Sequence, residues 1–329
     1  MNNTSTRREL LKALGAAIAV HSATRAASGK PMRGVFPIMA TPFTATKAVD
    51  FDDLAREVDF LDRCGAHGMA WPQLASGYRT LSKEERMRGM QVLAKAIKGK
   101  KPALVLGVQA ADTEQMLEFA RAAESLEPDA LIAMPPYEAK SLEEYRSYYR
   151  ALARVTERPI FIQTTGGARD LTPTVEFIVE LAREFPQLGY VKEEAQPVVE
   201  RMKALVRHRP TMKAVFSGGN GLGSTFEMRF HADGTMPLAP YADLLAQTWD
   251  LFRSGQPQKA REIFSKFLLM ENMARRIRGV PQYMMKRRGV FKTTMVRPED
   301  ARVTDAELTA DEIAEIEFNY EGIRPYLRA

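Results

Sequence analysis

From Gly34 onward, short apolar runs alternate with longer stretches in which apolar residues recur every three or four positions. The runs occupy 35–41, 68–73, 103–109, 130–135, 159–165, 189–194, 213–217 and 234–238. They are nearly continuous in apolar residues and flanked by Gly or Pro, as strands of a parallel sheet covered on both faces should be. Between them lie helical stretches. In 51–64, Leu54, Val58 and Leu61 fall on one helical face. Ser82 to Glu85 and Ser141 to Glu144 have capping-box spacing, Asp112 to Gln115 is a similar start, and Thr172-Pro173 places proline at a first helical position. Eight strand-then-helix units in about 220 residues predict an α/β fold of the (β/α)₈ barrel class, with its site at the strands' C-terminal ends. A doubly wound open sheet is the runner-up, but no Gly-x-Gly-x-x-Gly follows the first run. After about residue 256 the strands stop. Helical patterns at 257–278, from 281 onward and at 310–324 predict a C-terminal helical extension. The chain thus divides into residues 1–28, a barrel at 31–256 and an extension at 257–329.

The first segment reads differently. Arg7-Arg8 precede Leu10, Leu11 and Lys12; a short apolar stretch follows to Val20, then small and polar residues to Ser28. This is the layout of a twin-arginine export signal, and it predicts a periplasmic or exported protein, free of the membrane once the signal is cleaved. An amphipathic first helix is the plainer alternative. Charge changes the picture little. The net +6 includes four bases and one acid within the first 26 residues, and no basic cluster interleaved with aromatics follows. Nucleic acid is therefore not an expected partner. One cysteine and four scattered histidines predict no disulfide framework and no metal site.

The sixth run, Gly189-Tyr190-Val191-Lys192-Glu193-Glu194, carries candidate chemistry. A lysine near the end of a barrel strand is costly to bury, and an amine there can attack a ketone. Side chains alternate along a strand, so Lys192 and Glu194 share a face and Glu193 points away. A strand-end ion pair is the alternative. A basic stretch, Arg275-Arg276 and Lys286-Arg287-Arg288, is either an anion site or a solvated face or contact. The glycine-rich 218–223 segment follows the seventh run, where barrels often bind phosphate.

Several motifs together resemble the dihydrodipicolinate synthase and N-acetylneuraminate lyase family of Schiff-base barrels, from about Gly34 to Arg253. They are Gly34-Val35-Phe36-Pro37 with Ala40-Thr41-Pro42-Phe43, Val49-Asp50, Leu81 to Arg86, Pro135-Pro136-Tyr137, Val191-Lys192-Glu193 and Ser217-Gly218. The resemblance implies that Lys192 forms an imine with a small-molecule 2-oxo acid, with no metal or diffusible cofactor, in a homotetramer. It places Tyr137 where a tyrosine reaches into the neighbouring subunit's site. It also places Thr41, Ser217 and Gly218 at the substrate, and Arg169, allowing a one-residue shift, near an arginine at the pocket entrance.

Two departures stand out. The family's hydroxyl-bearing carboxylate loop is replaced by Gln73-Leu74-Ala75-Ser76-Gly77, leaving Ser76 or the backbone of Ala75, Ser76 and Gly77 for that task. At the end of the fifth run Gln163 stands where the family has its acid/base tyrosine, and a carboxamide cannot exchange a proton at neutral pH. Glu194, facing inward beside Lys192, is the expected replacement. A carboxylate suits removal of a proton next to an imine, which tilts the expectation toward dehydration of a 2-keto-3-deoxy sugar acid over aldol cleavage. Other readings are dihydrodipicolinate synthase-like chemistry, an aromatic hydratase-aldolase using Trp71 and Tyr78, and a 2-oxo acid binding protein without catalysis.

Overall fold

The computed structural model describes residues 29–297 and 308–329; the export signal expected at 1–28 lies outside them. All eight strands form, as β1 (Gly34–Val35), β2 (Gly68–Trp71), β3 (Ala103–Gly107), β4 (Ala130–Ala133), β5 (Ile160–Gln163), β6 (Tyr190–Glu193), β7 (Ala214–Ser217) and β8 (Gly234–Thr235). Neighbours pair in parallel in the order β1-β8-β7-β6-β5-β4-β3-β2. Single bridges from Ile38 to Ala70 and to Leu238 join β1 to β2 and extend the β1–β8 seam, so the sheet closes on itself.

Helices follow the strands: α1 (Phe51–Cys64), α2 (Lys83–Ala96), α3 (Thr113–Glu124), α4 (Leu142–Ala153), α5 (Val175–Glu184), α6 (Val198–Val206), α7 (Ser224–Arg229) and α8 (Ala242–Arg253). Their starts follow capping chemistry. Asp50 accepts the Asp53 amide of α1 at 3.0 Å, and Ser82 and Glu85 form a complete capping box on α2. At α4 half the box forms. Ser141 caps Glu144, but the Glu144 carboxylate takes the Lys140 amide, one residue earlier than its own cap. The predicted start of α5 moves too. Thr174 is the extended N-cap and Pro173 precedes it, its carbonyl taken by Arg201.

Two apolar layers fix the barrel. The inner one holds Phe36, Phe161 and Phe216 edge to face, with Ala70, Val105 and Ile132 around them. The outer one packs the helices on the strands. Gly68 makes room for the inner layer, because a side chain there would meet the Phe36 ring at 2.5 Å. The three phenylalanines plug the barrel below its C-terminal mouth, so polar residues one step further along β5 and β6 stand on an apolar floor.

The extension is α9 (Pro257–Ala274), α10 (Val280–Arg287) and α11 (Ala310–Ile323), with α9 ending four residues before the predicted boundary. Three bases of its basic stretch are in internal pairs: Arg275 with Glu271, Arg287 with Glu317, and Arg288 with Asp243, the last fully buried at 2.6 Å. The segment after α10 returns to the barrel, where Lys292 holds Asp50 and Arg297 holds Glu85. Among the described residues no helix is long and apolar enough to cross a membrane.

Candidate active site

Strand register builds the site. Gln163 of β5 lies directly opposite Lys192 of β6, two residues beyond the facing Phe161–Tyr190 pair. Both therefore share the inward face. Lys192 is buried against the floor, and its Nζ lies 3.1 Å from Glu194 Oε1 and 3.4 Å from Gln163 Oε1. Lysine offers only donors, so it fixes the Gln163 carbonyl oxygen toward itself and turns the amide nitrogen the other way. That nitrogen donates to Glu194 Oε2 at 2.8 Å. The Thr165 hydroxyl donates to the same oxygen. The Glu194 side chain is 21% exposed against 5% for Lys192, so the acid fronts the mouth and the amine lies behind it.

Glu193 does point away, as alternation requires. Its buried carboxylate takes the Thr164 hydroxyl at 2.6 Å and the Ala195 amide at 2.8 Å, and pairs with Arg201 of α6 at 3.1 Å. The same Thr164 hydroxyl accepts the Glu194 amide at 2.9 Å, so this outer network anchors the backbone that carries the inner acid. Across the mouth, Gly218 has no side chain because Glu194 occupies that space: a Cβ there would lie 2.0 Å from Glu194 Cγ.

Ser217 faces outward, since Phe216 beside it faces in. Its hydroxyl donates to Glu227 of α7 at 2.7 Å and serves the loop rather than the mouth. Burial without a cation pushes Glu227 up to about 6. Glu57, wholly buried on α1, is likewise raised by burial while accepting the Ala40 amide at 3.1 Å.

In the altered loop the hydroxyls are already committed. Thr41 donates to the Ser76 carbonyl at 2.6 Å and accepts from Trp71 Nε1 at 3.0 Å; Ser76 donates to the Met39 carbonyl and accepts the Gln73 amide at 3.0 Å. They tie the loop to β1. What this turn leaves for an anion is backbone: the first amides of the three-residue 3₁₀ turn at Leu74 and Ala75 have no partner within it. Beside them Gln73 and Gln109 form a buried carboxamide pair over Gly107, joined at 3.1 Å. Trp71 is core, fully buried against Gly89, and offers no flat subsite.

Neither Tyr137 nor Arg169 is among the hydrogen-bond or ion-pair partners of Lys192 and Glu194. Arg169 is exposed on the loop after β5. Tyr137 packs beneath Arg79 at 5.1 Å and lines a separate cavity of about 520 Å³ with Tyr78, Arg86 and Phe119. No group of three or more metal-ligating side chains is found among the described residues. The structure therefore gathers Lys192, Glu194, Gln163 and Gly218, keeps Thr41 and Ser76 as supports, and adds Thr165, Glu227 and the Gln73–Gln109 pair, which sequence reasoning passed over. Thr165 was within reach of it, being two residues beyond Gln163 in the apolar run predicted over 159–165.

The fold and site together define a lysine-bearing (β/α)₈ barrel: a closed parallel sheet, an inward lysine on the sixth strand, a carboxylate at hydrogen-bond distance and an apolar floor. The dihydrodipicolinate synthetase family model matches residues 31–312, and the chain belongs to that family. Enzymes of this family hold substrate on a lysine imine without metal or external cofactor. Curated relatives include 4-hydroxy-tetrahydrodipicolinate synthases. The one from Phocaeicola vulgatus is 28% identical over 192 residues, 58% of this chain and 64% of that protein, so the match spans just under two thirds of its length. The one from Chlorobium chlorochromatii is 26% identical over 283 residues, covering 82% and 94%. The L-2-keto-3-deoxyarabonate dehydratase of Azospirillum brasilense is 23% identical over 288 residues, covering 84% and 93%. In three dimensions the chain resembles dihydrodipicolinate synthase from Aquifex aeolicus, with a TM-score of 0.78 at 17% identity over 91% of this chain and 100% of that one. The enzyme from Rhodopseudomonas palustris gives 0.76 at 21%, over 88% and 97%.

Proposed function

We propose that the protein is a Schiff-base lyase for a 2-oxo acid, and that it dehydrates a 2-keto-3-deoxy sugar acid with Glu194 as acid/base. The observation that carries this reading is the Lys192–Glu194 contact at 3.1 Å with Gln163 where a proton-exchanging tyrosine would stand. The Lys192 amine adds to the keto carbon and water leaves, forming an iminium. The iminium draws electrons from the adjacent carbon, so a proton there becomes removable. Glu194 takes that proton, and the electron pair moves into the enamine. Glu194 then returns the proton to a β-hydroxyl, which departs as water, and hydrolysis frees the amine. The first turn after β2, through the Leu74 and Ala75 amides, receives the substrate carboxylate. A dehydratase among the relatives, matched over most of both chains, supports the choice of reaction. A synthase-type condensation is disfavoured by Gln163, and an aromatic substrate by the burial of Trp71.

The test is borohydride reduction of the protein with pyruvate and a panel of 2-keto-3-deoxy sugar acids, followed by peptide mass spectrometry. We expect the added mass on Lys192, strongest with a sugar acid, and release of the dehydrated product without reductant. An adduct that never turns over would favour a binding protein, and no adduct at all would overturn the imine chemistry. We further propose export by the twin-arginine route and assembly as a homotetramer. Cell fractionation and sedimentation test these two separately.

A further inference from the structure

The Glu194 carboxylate is held asymmetrically. Its Oε2 receives two donors, the Gln163 amide nitrogen at 2.8 Å and the Thr165 hydroxyl, while its Oε1 faces the Lys192 amine at 3.1 Å. The Gln163 nitrogen also lies 3.4 Å from Thr165 Oγ1, so glutamine, threonine and carboxylate close into one ring. On the other side Gly218, lacking a side chain, leaves the space that the acid fills. A carboxylate oxygen already accepting two donors is a poor base, and the other oxygen, which faces the Lys192 amine alone, keeps a lone pair for the substrate.

We propose that Thr165 is the positioning residue of this site: it occupies Glu194 Oε2 so that Oε1, the oxygen beside the imine nitrogen, performs the proton transfer. This rests on the acid/base reading of Glu194 and adds the group that aims it. Thr165 itself exchanges no proton. It lies two residues past Gln163, the last residue of β5, and its hydroxyl meets both the glutamine and the acid. The proton is consequently taken from one face of the substrate, the face turned toward Oε1.

Exchange of the methyl protons of pyruvate in D₂O, followed by proton NMR, reads this step apart from imine formation, which borohydride trapping and intact mass read independently. The full chain is compared with Thr165→Val, Thr165→Ala and Thr165→Ser. Trapping should stay within about threefold of the parent in all three. Exchange should fall roughly 10- to 100-fold in the valine and alanine variants, the effect of losing a hydrogen bond to a charged group, and return to within about threefold in the serine variant. If valine does not fold, the alanine–serine contrast carries the same comparison. Exchange undiminished without the hydroxyl, or serine as poor as alanine, would overturn the proposal while leaving Glu194 in place. Glu194→Gln tells the two levels apart. If it exchanges as fast as the parent, the acid/base reading fails and the role of Thr165 fails with it.

Discussion

Replacing Gly218 by alanine should separate activity from stability. The added Cβ would stand 2.0 Å from Glu194 Cγ and 2.5 Å from its Cδ and Oε1. Carbon atoms in ordinary contact keep about 3.5–4.0 Å, so the acid must retreat by roughly 1.5 Å. Displacement of a reacting group by about 1 Å can cost on the order of 100-fold in rate. The shift also pulls Oε2 off Gln163 and Thr165. The backbone itself accepts alanine, because Gly218 is not among the glycines in the left-handed region. Relief of unfolded-state entropy contributes about 0.4–1 kcal/mol, which offsets part of the lost hydrogen bonding. We therefore expect exchange of pyruvate protons to fall about 100-fold, Lys192 trapping to persist within about tenfold, and the melting temperature to move by only a few degrees. Gly219→Ala is the control. A Cβ there meets Ser217 Oγ at 3.4 Å, an ordinary contact, and activity should be kept. Exchange in Gly218→Ala within about threefold of the parent would refute the packing argument, since Glu194 would then be mobile enough to yield without consequence.

Other expectations follow from buried charge. Glu227 rises from 4.5 to about 6 on folding, so between those values the folded state holds a proton that the unfolded state has lost, and stability falls as pH rises. Relative to Glu227→Gln, the parent should lose about 2 kcal/mol between pH 4 and pH 7 in urea titrations; parallel profiles would contradict this. Arg288→Met strands the buried Asp243 and should cost about 3–5 kcal/mol by chemical denaturation, with a loss below about 1 kcal/mol counting against an essential pair. Lys192→Arg keeps the charge but removes the nucleophile, and no borohydride adduct should form with any 2-oxo acid.

The barrel was legible because its strands are buried on both faces and carry their apolar runs continuously, with Gly and Pro as punctuation. The inward pairing of Lys192 with Glu194 was equally legible, since strand alternation is a rule of geometry and survives any loop. What escaped were contacts made across elements. Nothing in the string links Ser217 to Glu227 of α7, or Gln73 to Gln109 at the next strand. The start of α5 shifted for a related reason: Pro173 fits a first helical turn, but the Thr174 hydroxyl captures the Phe177 amide at 3.1 Å and sets the boundary there.

The two departures from the family pattern are coupled to different degrees with the rest of the chain. At the fifth strand the loss of a tyrosine is matched locally. Gln163 bridges amine and acid, Thr165 holds the acid's far oxygen, and Gly218 opens the space the acid fills. Residues at two different strand ends, Gln163 and Thr165 at the end of β5 and Gly218 after β7, serve one carboxylate, which argues that Glu194 is a built component of the site rather than a stray charge near a lysine. At the second strand the compensation is structural. Thr41 and Ser76 direct their hydroxyls to backbone and to Trp71, fixing the turn and leaving its first amides as donors. A carboxylate held by two backbone N–H groups is bound without a side chain to titrate or to mutate. Single substitutions of Ser76 should then act through loop order and protein stability. A Ser76→Ala variant that loses trapping but keeps its melting temperature would reverse that assignment and return the hydroxyl to the substrate.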